Sequence, residues 1–325
     1  MKETINWGII GLGKIARQFA NDLKYVPHAQ LHAVASRSAA KAKDFAAAFG
    51  ATHSFGSYEE MMRCDDLDVV YVATPHVKHC ENTIMCLENG IAVLCEKPFA
   101  MDSGEVQRMI AAAKANDTFL MEAIWTRFLP HIKKVIEHIQ SGIIGEVKLL
   151  RADFGFKAPI DFAGRLYNKS LGGGSLLDVG IYPLFLAQLL MGNPIDLRAS
   201  AHIGQTEVDE SCAMILRYAE DKMAVLDSSI VRDTPMQAGI YGTRGKIQIQ
   251  SRWHESNTFT IVELDKAPQT FTFDYEGAKG YRYETQHVVE CLQRGKKESD
   301  LLPLSFSLDL MNLLDEVRAK IGLVY

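Results

Sequence analysis

The sequence lacks the features that mark membrane proteins and nucleic-acid-binding proteins. Its longest apolar stretch, residues 179–191, is shorter than the roughly 18 residues of a membrane span and is interrupted by Tyr182, Pro183 and Gln188. This stretch therefore predicts a buried helix. The formal net charge of −5 comes without a basic stripe, which argues against a surface that neutralises phosphates of nucleic acid.

Motifs for structural metal and for disulfides are also missing. The six cysteines form no CxxC pair and have no clustered histidines near them in the chain. We therefore expect reduced, mostly buried thiols and no metal ion. The first residues, 1–6, carry Lys2 and Glu3 and no apolar leader core, so we expect a cytoplasmic protein.

The first 123 residues alternate short apolar runs with segments whose apolar residues recur at helical spacing. The apolar runs, which predict strands, lie at residues 6–10, 31–35, 69–73, 91–95 and 119–122. The segments between them, which predict helices, lie at residues 15–23, 39–49, 76–89 and 103–115. This alternation predicts an α/β domain with a doubly wound parallel (Rossmann) sheet, over residues 1–123.

Beyond Pro130 the pattern changes to one helix and a series of strand-like runs. The runs lie at residues 147–156, 197–203, 212–218, 224–231, 246–250, 258–263 and 270–275. Together with turn signals they predict a mostly antiparallel sheet in an α+β domain over residues 124–325. One long helix between Gly172 and Pro194 interrupts the runs, and two C-terminal amphipathic segments, residues 283–294 and 305–321, are expected to pack back on the body.

A glycine-rich turn directly follows the first predicted strand. Its sequence GLGKIA, residues 11–16, matches the G-x-G-x-x-[G/A] fingerprint of dinucleotide-binding domains. The first glycine permits the tight turn, the second lets the backbone approach a pyrophosphate, and Ala16 keeps the helix close to its strand. The helix start presents N–H groups and a positive dipole end to the phosphates. Strand, turn, helix and second strand come in the right order, which favours a nucleotide site over a plain connection.

The end of the second predicted strand indicates which nucleotide binds. NAD enzymes usually place a carboxylate there to hold the ribose hydroxyl, whereas NADP enzymes offer arginine to the 2′-phosphate. This sequence has Ser36, Arg37 and Ser38 at that point and no carboxylate. We therefore predict that NADP(H) is favoured over NAD(H), the alternative being that Arg37 is only a solvated surface charge.

Two further motifs carry groups that can handle a proton. Lys97 follows a predicted strand within Glu96-Lys97-Pro98, and Asp178 precedes Tyr182 by four residues, which places both on one helix face. A free tyrosine, with a pKa of about 10, is a poor base at neutral pH unless an ammonium favours its ionised form. We therefore interpret Tyr182 as the acid/base, Lys97 as its activator and Asp178 as an acceptor that orients a substrate hydroxyl. The roles of Tyr182 and Lys97 could also be reversed.

These motifs together resemble the glucose-fructose oxidoreductase and inositol dehydrogenase (Gfo/Idh/MocA) family. The resemblance rests on WGIIGLGKIA (residues 7–16), ATP (73–75), EKP (96–98) and LGGGSLLDVGIY (171–182). MEAIWTRF (121–128) and the tyrosine at 182 are similar to the dimeric dihydrodiol dehydrogenase and NADP D-xylose dehydrogenase branch. Much of the wider family has histidine at position 182 and asparagine at position 76, so inositol dehydrogenase mechanisms do not transfer directly.

The resemblance implies a nucleotide domain, an α+β domain with a large open sheet that supports a homodimer or a tetramer, and catalytic roles for Lys97 and Tyr182. It also implies a cis peptide between Lys97 and Pro98. The residues implied to line the cofactor are Gly11, Leu12, Gly13, Lys14, Ile15, Ser36, Arg37, Thr74, His76, Glu96 and Lys97. The residues proposed for the substrate wall are Trp125, Arg127, Phe154, Asp178 and Tyr182. His79, His131 and His138 are interpreted as helix-surface or packing residues.

The predicted function is therefore an NADP(H)-dependent oxidoreductase that moves hydride to or from a CH–OH carbon of a D-xylose-like aldose or a trans-dihydrodiol. Alternatives are a reductase of sugar ketones such as 1,5-anhydrofructose and an enzyme that retains its cofactor for glycoside cleavage or epimerisation. A third is a nucleotide-sensing regulator without catalytic activity.

Overall fold

The computed structural model describes residues 3–325, whose contacts divide into two units. The first unit contains residues up to 128 and residues 275–308, and the second contains residues 129–274 and 309–325. The boundary proposed from the sequence, between residues 123 and 124, stays a prediction about domain architecture.

The first unit is built on a six-stranded parallel sheet with the strand order β3-β2-β1-β4-β5-β6. Its strands are β1 (Ile5–Ile10), β2 (Ala29–Ala35), β3 (His53–Phe55), β4 (Val69–Val72), β5 (Ala92–Glu96) and β6 (Leu120–Ala123). Every residue of β1, β4, β5 and β6 is buried, as expected for parallel strands covered on both faces. The order reverses between β1 and β4, the position at which doubly wound sheets bind ligands.

Helices connect these strands in sequence. They are α1 (Lys14–Leu23), α2 (Ala39–Phe49), α3 (Tyr58–Met61), α4 (His79–Glu88) and α5 (Ser103–Ala115). Side chains at the helix starts accept hydrogen bonds from free backbone N–H groups: Ser38 accepts from Lys41 N, and Asp102 accepts from Glu105 N at 2.8 Å.

The second unit is built on an eight-stranded sheet with the order β14-β13-β12-β11-β7-β10-β9-β8. Its strands are β7 (Val147–Gly155), β8 (Asp196–Ile203), β9 (Asp209–Arg217), β10 (Met223–Ser229), β11 (Ala238–Gly242), β12 (Gly245–Ile249), β13 (Thr258–Glu263) and β14 (Gln269–Thr272). Neighbouring strands are antiparallel except β7 and β10, which pair in parallel. Along β9 buried and exposed residues alternate, so one face of the sheet is packed and the other is open.

The helices of this unit are α6 (Pro130–Gln140) and α7 (Ile181–Met191), and a π-helical turn, Leu176–Gly180, leads into α7. The segment Lys169–Met191 is long and apolar enough to cross a membrane by length and composition alone, but 83% of its most apolar window is buried inside the structure. Core helices of globular proteins pass the same test, and the burial agrees with the predicted core helix. The chain ends with α8 (Tyr281–Gln293) and α9 (Leu304–Ile321), both predicted as amphipathic segments.

The predicted fold class is confirmed: a parallel Rossmann sheet is followed by a large, mostly antiparallel sheet with helices. The sequence reading missed two strands. β3 has only three residues, all exposed or half-buried, and β11 contains two glycines in five residues. Neither therefore carries the run of β-branched and aromatic residues that identifies a strand.

Candidate active site

The glycine-rich turn between β1 and α1 has the backbone geometry that a pyrophosphate needs. Gly11 has φ +82°, and a Cβ atom there would lie 2.5 Å from the backbone of Ala73 and Thr74. At Gly13 a Cβ atom would meet nothing closer than 4.0 Å, so the space beside its backbone is open. Within the described residues, α1 has no side-chain cap and no acidic residue in its first turn. The turn therefore fits a dinucleotide phosphate group.

The other residues predicted from this motif differ in exposure. Leu12 is buried and anchors the turn in the core, Ile15 is half-buried and Lys14 is exposed. An exposed ammonium on the first residue of α1 leaves Lys14 able to reach an anionic ligand.

At the end of β2, the two residues that were predicted to bind a 2′-phosphate, Ser36 and Arg37, differ in exposure. Ser36 is buried, its N–H donates to Phe55 O at 3.2 Å, and its hydroxyl accepts from Ser38 N at 3.3 Å. Arg37 is exposed and close to Tyr58, where its charge opposes the larger effect of burial, which raises the pKa of that phenol. A cationic side chain therefore stands at the strand end where a carboxylate would favour NAD.

His79 bridges two loops that the sequence had assigned to the cofactor. Its Nε2 lies 2.9 Å from Thr74 O and its Nδ1 lies 2.8 Å from Pro98 O. Thr74 Oγ1 accepts from Asn82 Nδ2 at 3.0 Å, and the ring of His76 is 5.7 Å from that of His79. An imidazole facing two carbonyl oxygens donates to both only when both nitrogens carry hydrogen. His79 is fully buried, so its role is to position these loops rather than to cover the helix surface.

The carboxylate of Glu96 is buried and accepts hydrogen bonds from two groups of the first unit. The Tyr71 hydroxyl donates to Glu96 Oε1 in a short hydrogen bond, and Lys97 N donates to Glu96 Oε2 at 3.2 Å. The peptide between Lys97 and Pro98 is cis, as the resemblance implied. Glu96 therefore has a structural function in holding this turn, in addition to its predicted place along the cofactor.

Two further buried carboxyl groups lie in the same unit. Glu122 Oε1 accepts from Phe99 N at 3.0 Å, and burial raises the pKa of Glu122 to about 7. Glu284, on α8, is fully buried, and neither of its oxygens has a hydrogen-bond partner among the described residues. Burial, and then the charges of Glu96 and Asp22, raise the pKa of Glu284 well above its usual range. Sequence reasoning missed both groups, because only the fold identifies a glutamate that has no access to water.

The two predicted substrate-wall residues of the first unit already have protein contacts. The ring of Trp125 stacks on that of Tyr281, with centroids 4.5 Å apart and planes inclined by 15°. Arg127 Nε donates to Leu301 O at 3.0 Å, and burial lowers the pKa of its guanidinium. Arg127 therefore has a structural contact as well as its predicted contact with substrate.

In the second unit a buried aspartate from β9 builds the turn that leads to α7. Asp209 Oδ2 accepts from Ser175 Oγ at 2.7 Å and from Leu176 N at 2.6 Å. Gly174 has φ +112°, and a Cβ atom there would lie 2.1 Å from Asp209 Oδ1. Burial raises the pKa of Asp209 to about 6. This arrangement explains Gly174 before the Asp178 turn: the aspartate occupies the space that a side chain would need.

Asp178 lies in the π-helical turn and forms an ion pair that the sequence did not indicate. Arg165 Nη1 lies 2.8 Å from Asp178 Oδ1, and only 10% of the Asp178 side chain is exposed. An ion pair with arginine favours the ionised carboxylate, which can accept a hydrogen bond from a hydroxyl. Gly180, between Asp178 and Tyr182, allows this turn to approach β10, because a Cβ atom there would lie 2.9 Å from Ser228 Oγ.

Tyr182, in the first turn of α7, is 6% exposed and packs in an aromatic cluster. Its ring centroid is 5.4 Å from that of Phe154 and 5.3 Å from that of His254. The rings of Phe154 and His254 stack at 4.1 Å. The structure thus places two predicted residues together and adds His254, which follows no recognisable motif. Trp253 is fully buried and donates its Nε1 hydrogen to Asp153 O at 2.9 Å, as a core residue does.

Comparisons with known proteins agree with both halves of this description. A family model described as "Oxidoreductase family, NAD-binding Rossmann fold" matches residues 5–124, and one described as "GFO/IDH/MocA C-terminal domain" matches residues 132–248. Among curated proteins, the chain is similar to the trans-1,2-dihydrobenzene-1,2-diol dehydrogenase of Xenopus tropicalis, with 39% identity and coverage of 98% of each chain.

Solved structures share the whole architecture. The 3-ketoreductase KijD10 from Actinomadura kijaniata, solved in complex with NADP and TDP-benzene, superposes with a TM-score of 0.87 at 26% identity over 98% of both chains. The aldose-aldose oxidoreductase from Caulobacter crescentus, with a TM-score of 0.89 at 24% identity over 98% of both chains, shares the fold. The chain therefore belongs to the Gfo/Idh/MocA family of NAD(P)-dependent oxidoreductases.

Proposed function

We propose that the protein is an NADP(H)-dependent dehydrogenase that oxidises a CH–OH carbon of an aldose or a trans-dihydrodiol. The observation that carries this proposal is the surroundings of Tyr182: a phenol set against Phe154 and His254, one turn after the ion-paired carboxylate of Asp178. Such a wall offers an apolar face for a ring and polar heads for its hydroxyls.

The first unit would hold the cofactor. The open backbone at Gly13 and the start of α1 suit the pyrophosphate, and Arg37 with Ser36 suits the 2′-phosphate. The loops joined by His79 would carry Thr74, His76 and Lys97 to the nicotinamide end. When bound, the nicotinamide supplies the hydride acceptor, or the hydride donor in the reverse direction.

Proton transfer would fall to this chain's own side chains. Tyr182 accepts the hydroxyl proton of the substrate, and the ammonium of Lys97 favours the phenolate that can do so. Asp178 accepts a hydrogen bond from a neighbouring hydroxyl and fixes the orientation of the substrate. In the alternative assignment Lys97 takes the proton and Tyr182 orients the hydroxyl.

The relatives support this substrate class by their names. One acts on trans-1,2-dihydrobenzene-1,2-diol, and a structural neighbour is a 3-ketoreductase bound to NADP. The first name implies a hydroxyl carbon on a six-membered ring, and the second implies a carbonyl carbon. The same chemistry in reverse would reduce a sugar ketone of the 1,5-anhydrofructose type, which is the second candidate within this class.

A steady-state screen tests the proposal. The purified protein is assayed for NAD(P)H formation with aldoses including D-xylose and with trans-cyclohexadiene diols, with NADP⁺ and NAD⁺ side by side, and for NADPH consumption with sugar ketones. We expect turnover with at least one polyol and a higher kcat/KM with NADP⁺. NADPH binding without turnover of any substrate would instead favour the nucleotide-sensing regulator. Substrate conversion without net change in NADPH would favour a cofactor-retaining epimerase or glycosidase.

We also propose that the open face of the second sheet binds a second copy of this chain. Apolar side chains lie on paired strands of that face: exposed Ile215 pairs with exposed Val225, and half-buried Leu149 lies between the exposed Met223 and Tyr241. A self-complementary patch of this kind suits a two-fold homodimer. Sedimentation velocity should find a dimer that Val225→Glu converts to monomer, whereas the exposed control Val324→Glu leaves the mass unchanged. A monomeric wild-type protein would contradict this proposal.

The cellular location proposed is the cytoplasm. All six cysteines are unpaired thiols, five of them buried, and a reducing compartment keeps them so. Fractionation of cells that express the chain tests this location.

A further inference from the structure

The outer edge of the first sheet brings together two imidazoles and a thiol. His32 lies on β2, His53 begins β3, and Cys64 lies in the connection between α3 and β4. One potential ligand atom of each lies within 4.8 Å of those of the other two. The rings of His32 and His53 are 4.8 Å apart and meet edge to face. The sequence had predicted no metal, since His53 lies 21 positions after His32 and 11 before Cys64, so the three residues form no compact motif.

The surroundings of this cluster favour a cation. Asp65 and Asp66 directly follow Cys64 in the chain and place two carboxylates close to this cluster. Their negative charge also attracts a divalent ion. The carbonyl oxygen of Asp65 lies 3.2 Å from His32 Nε2, a contact of the kind that orients an imidazole ring in metal sites.

A second cluster in the same unit is less suited to a metal because its groups already bind one another. His287 Nε2 lies 2.7 Å from Ser299 Oγ and 3.4 Å from Cys291 Sγ. Asp300 forms an ion pair with Lys296 at 3.0 Å. A metal there would have to displace an ammonium ion and a hydroxyl, whereas two carboxylates lie close to the cluster at the sheet edge.

We propose that His32, His53 and Cys64 form a binding site for a divalent cation of the zinc class. Two imidazole nitrogens and one thiolate are the ligands that zinc prefers, and water or the Asp65 carboxylate can fill the fourth position. Binding replaces the Cys64 S–H bond with a metal–sulfur bond and releases the proton to solvent, without any change of oxidation state. Tetrahedral bonds of about 2.0–2.3 Å require the ligand atoms to approach by about 1 Å, which exposed His53 can supply by rotating its side chain.

Metal binding at this place would act on the edge of the nucleotide unit. β3 has three residues and is held to β2 by the pairs Ala33 with His53 and Ala35 with Phe55. Ser36 N donates to Phe55 O at 3.2 Å immediately beyond the last pair. An ion that joins His32 to His53 would therefore secure the strand that supports Ser36. It adds stability in proportion to the logarithm of its concentration over its dissociation constant.

Titration of the full chain tests the proposal. The protein, stripped with a chelator and then desalted, is titrated with Zn²⁺ by calorimetry, and its Tm is measured with and without Zn²⁺. We expect one equivalent to bind and the Tm to rise. His53→Ala and Cys64→Ser, at exposed and half-exposed positions, should each weaken binding by more than about tenfold and remove the Tm rise. Titration with Co²⁺ should give a sulfur-to-metal charge-transfer band that Cys64→Ser abolishes.

Two controls separate this site from other histidines and thiols. His202→Ala changes an exposed histidine on β8, and Cys291→Ser changes the thiol of the second cluster. Both variants should bind Zn²⁺ as the wild type does. Unaltered binding by His53→Ala and Cys64→Ser, loss of binding in Cys291→Ser instead, or no Zn²⁺ binding by the wild type would each overturn the proposal. Dehydrogenase activity plays no part in these outcomes, so they are independent of the proposed function.

Discussion

The two units of this protein present their functional groups in different ways. In the first, the nucleotide turn, the Ser36–Arg37 segment and Lys97 each follow a strand of one parallel sheet. Such groups meet at one edge because parallel strands end there together. In the second, Asp178 and Tyr182 stand on a turn that depends on Asp209 of β9 and on Arg165. A functional group at a strand end is positioned by its own strand, whereas Asp178 is positioned by residues that are distant in the chain.

The largest expected effect comes from removing one proposed catalytic group in each unit. Lys97→Met and Tyr182→Phe should each lower kcat by about 10²- to 10⁴-fold, because each removes a participant in proton transfer. Fluorescence titration should find NADPH binding retained. If the two groups act in one reaction, the double variant will be far less impaired than the product of the two losses. Full activity in either single variant would remove the catalytic assignment.

A second prediction concerns the buried carboxyl of Glu122. It tests the stability of the first unit and not its proposed chemistry. Its folded pKa of about 7 lies above that of an unfolded glutamate, so its stabilising contribution is complete at low pH and is lost as pH rises through 7. Glu122→Gln stays neutral and can still accept from Phe99. Between pH 5 and 8 the free energy of unfolding of the variant should gain about 2 to 3 kcal/mol relative to wild type.

Urea denaturation of both proteins at several pH values measures this difference. An exposed glutamate gives the control: Glu59→Gln should keep a constant difference from wild type over the same range. A constant difference for Glu122→Gln as well would mean that its carboxyl titrates normally.

The dependence of the second unit on distant residues is tested at Asp209. Asp209→Ala leaves the Leu176 N–H and the Ser175 hydroxyl without this acceptor in the core, at a cost of about 2 to 3 kcal/mol. Chemical denaturation should detect the loss, and kcat should fall because the Asp178 turn is no longer held. The partly exposed Asp196→Ala, on β8, should change stability by less than about 0.5 kcal/mol. Equal losses of stability in Asp209→Ala and Asp196→Ala would contradict the proposed role of Asp209 in holding this turn.

The smallest expected effect is on cofactor choice. Arg37→Ala should weaken NADPH binding by about 10- to 100-fold, because it removes one charge-assisted hydrogen-bonded contact with the 2′-phosphate. NADH binding should stay nearly unchanged. Lys41→Ala, on the exposed face of α2, is the matched loss of a positive charge. If Arg37→Ala weakens NADPH and NADH equally, the basis for NADP preference disappears.

Most of the first unit could be predicted from the sequence. Five of its six strands were located because buried parallel strands are continuous apolar runs between turn signals. β3 was missed because its three residues, all exposed or half-buried, are too few to show a strand period. The glycines and Lys97, which were proposed for the site, follow from short motifs. The loop bridge by His79 and the buried Glu284 were not proposed for the site, because no motif identifies them.

The sequence by itself determined the fold class, the phosphate turn and the candidates for proton transfer, because each depends on spacing within one element or one connection. Only the tertiary structure decided which polar groups are cut off from water and which distant residues hold them. Asp178 forms an ion pair with Arg165, and the ring of Tyr182 packs against Phe154 and His254. His32 lies close to His53 and Cys64. The physical reason is that burial and charge pairing depend on distance in space, which spacing along the chain does not encode.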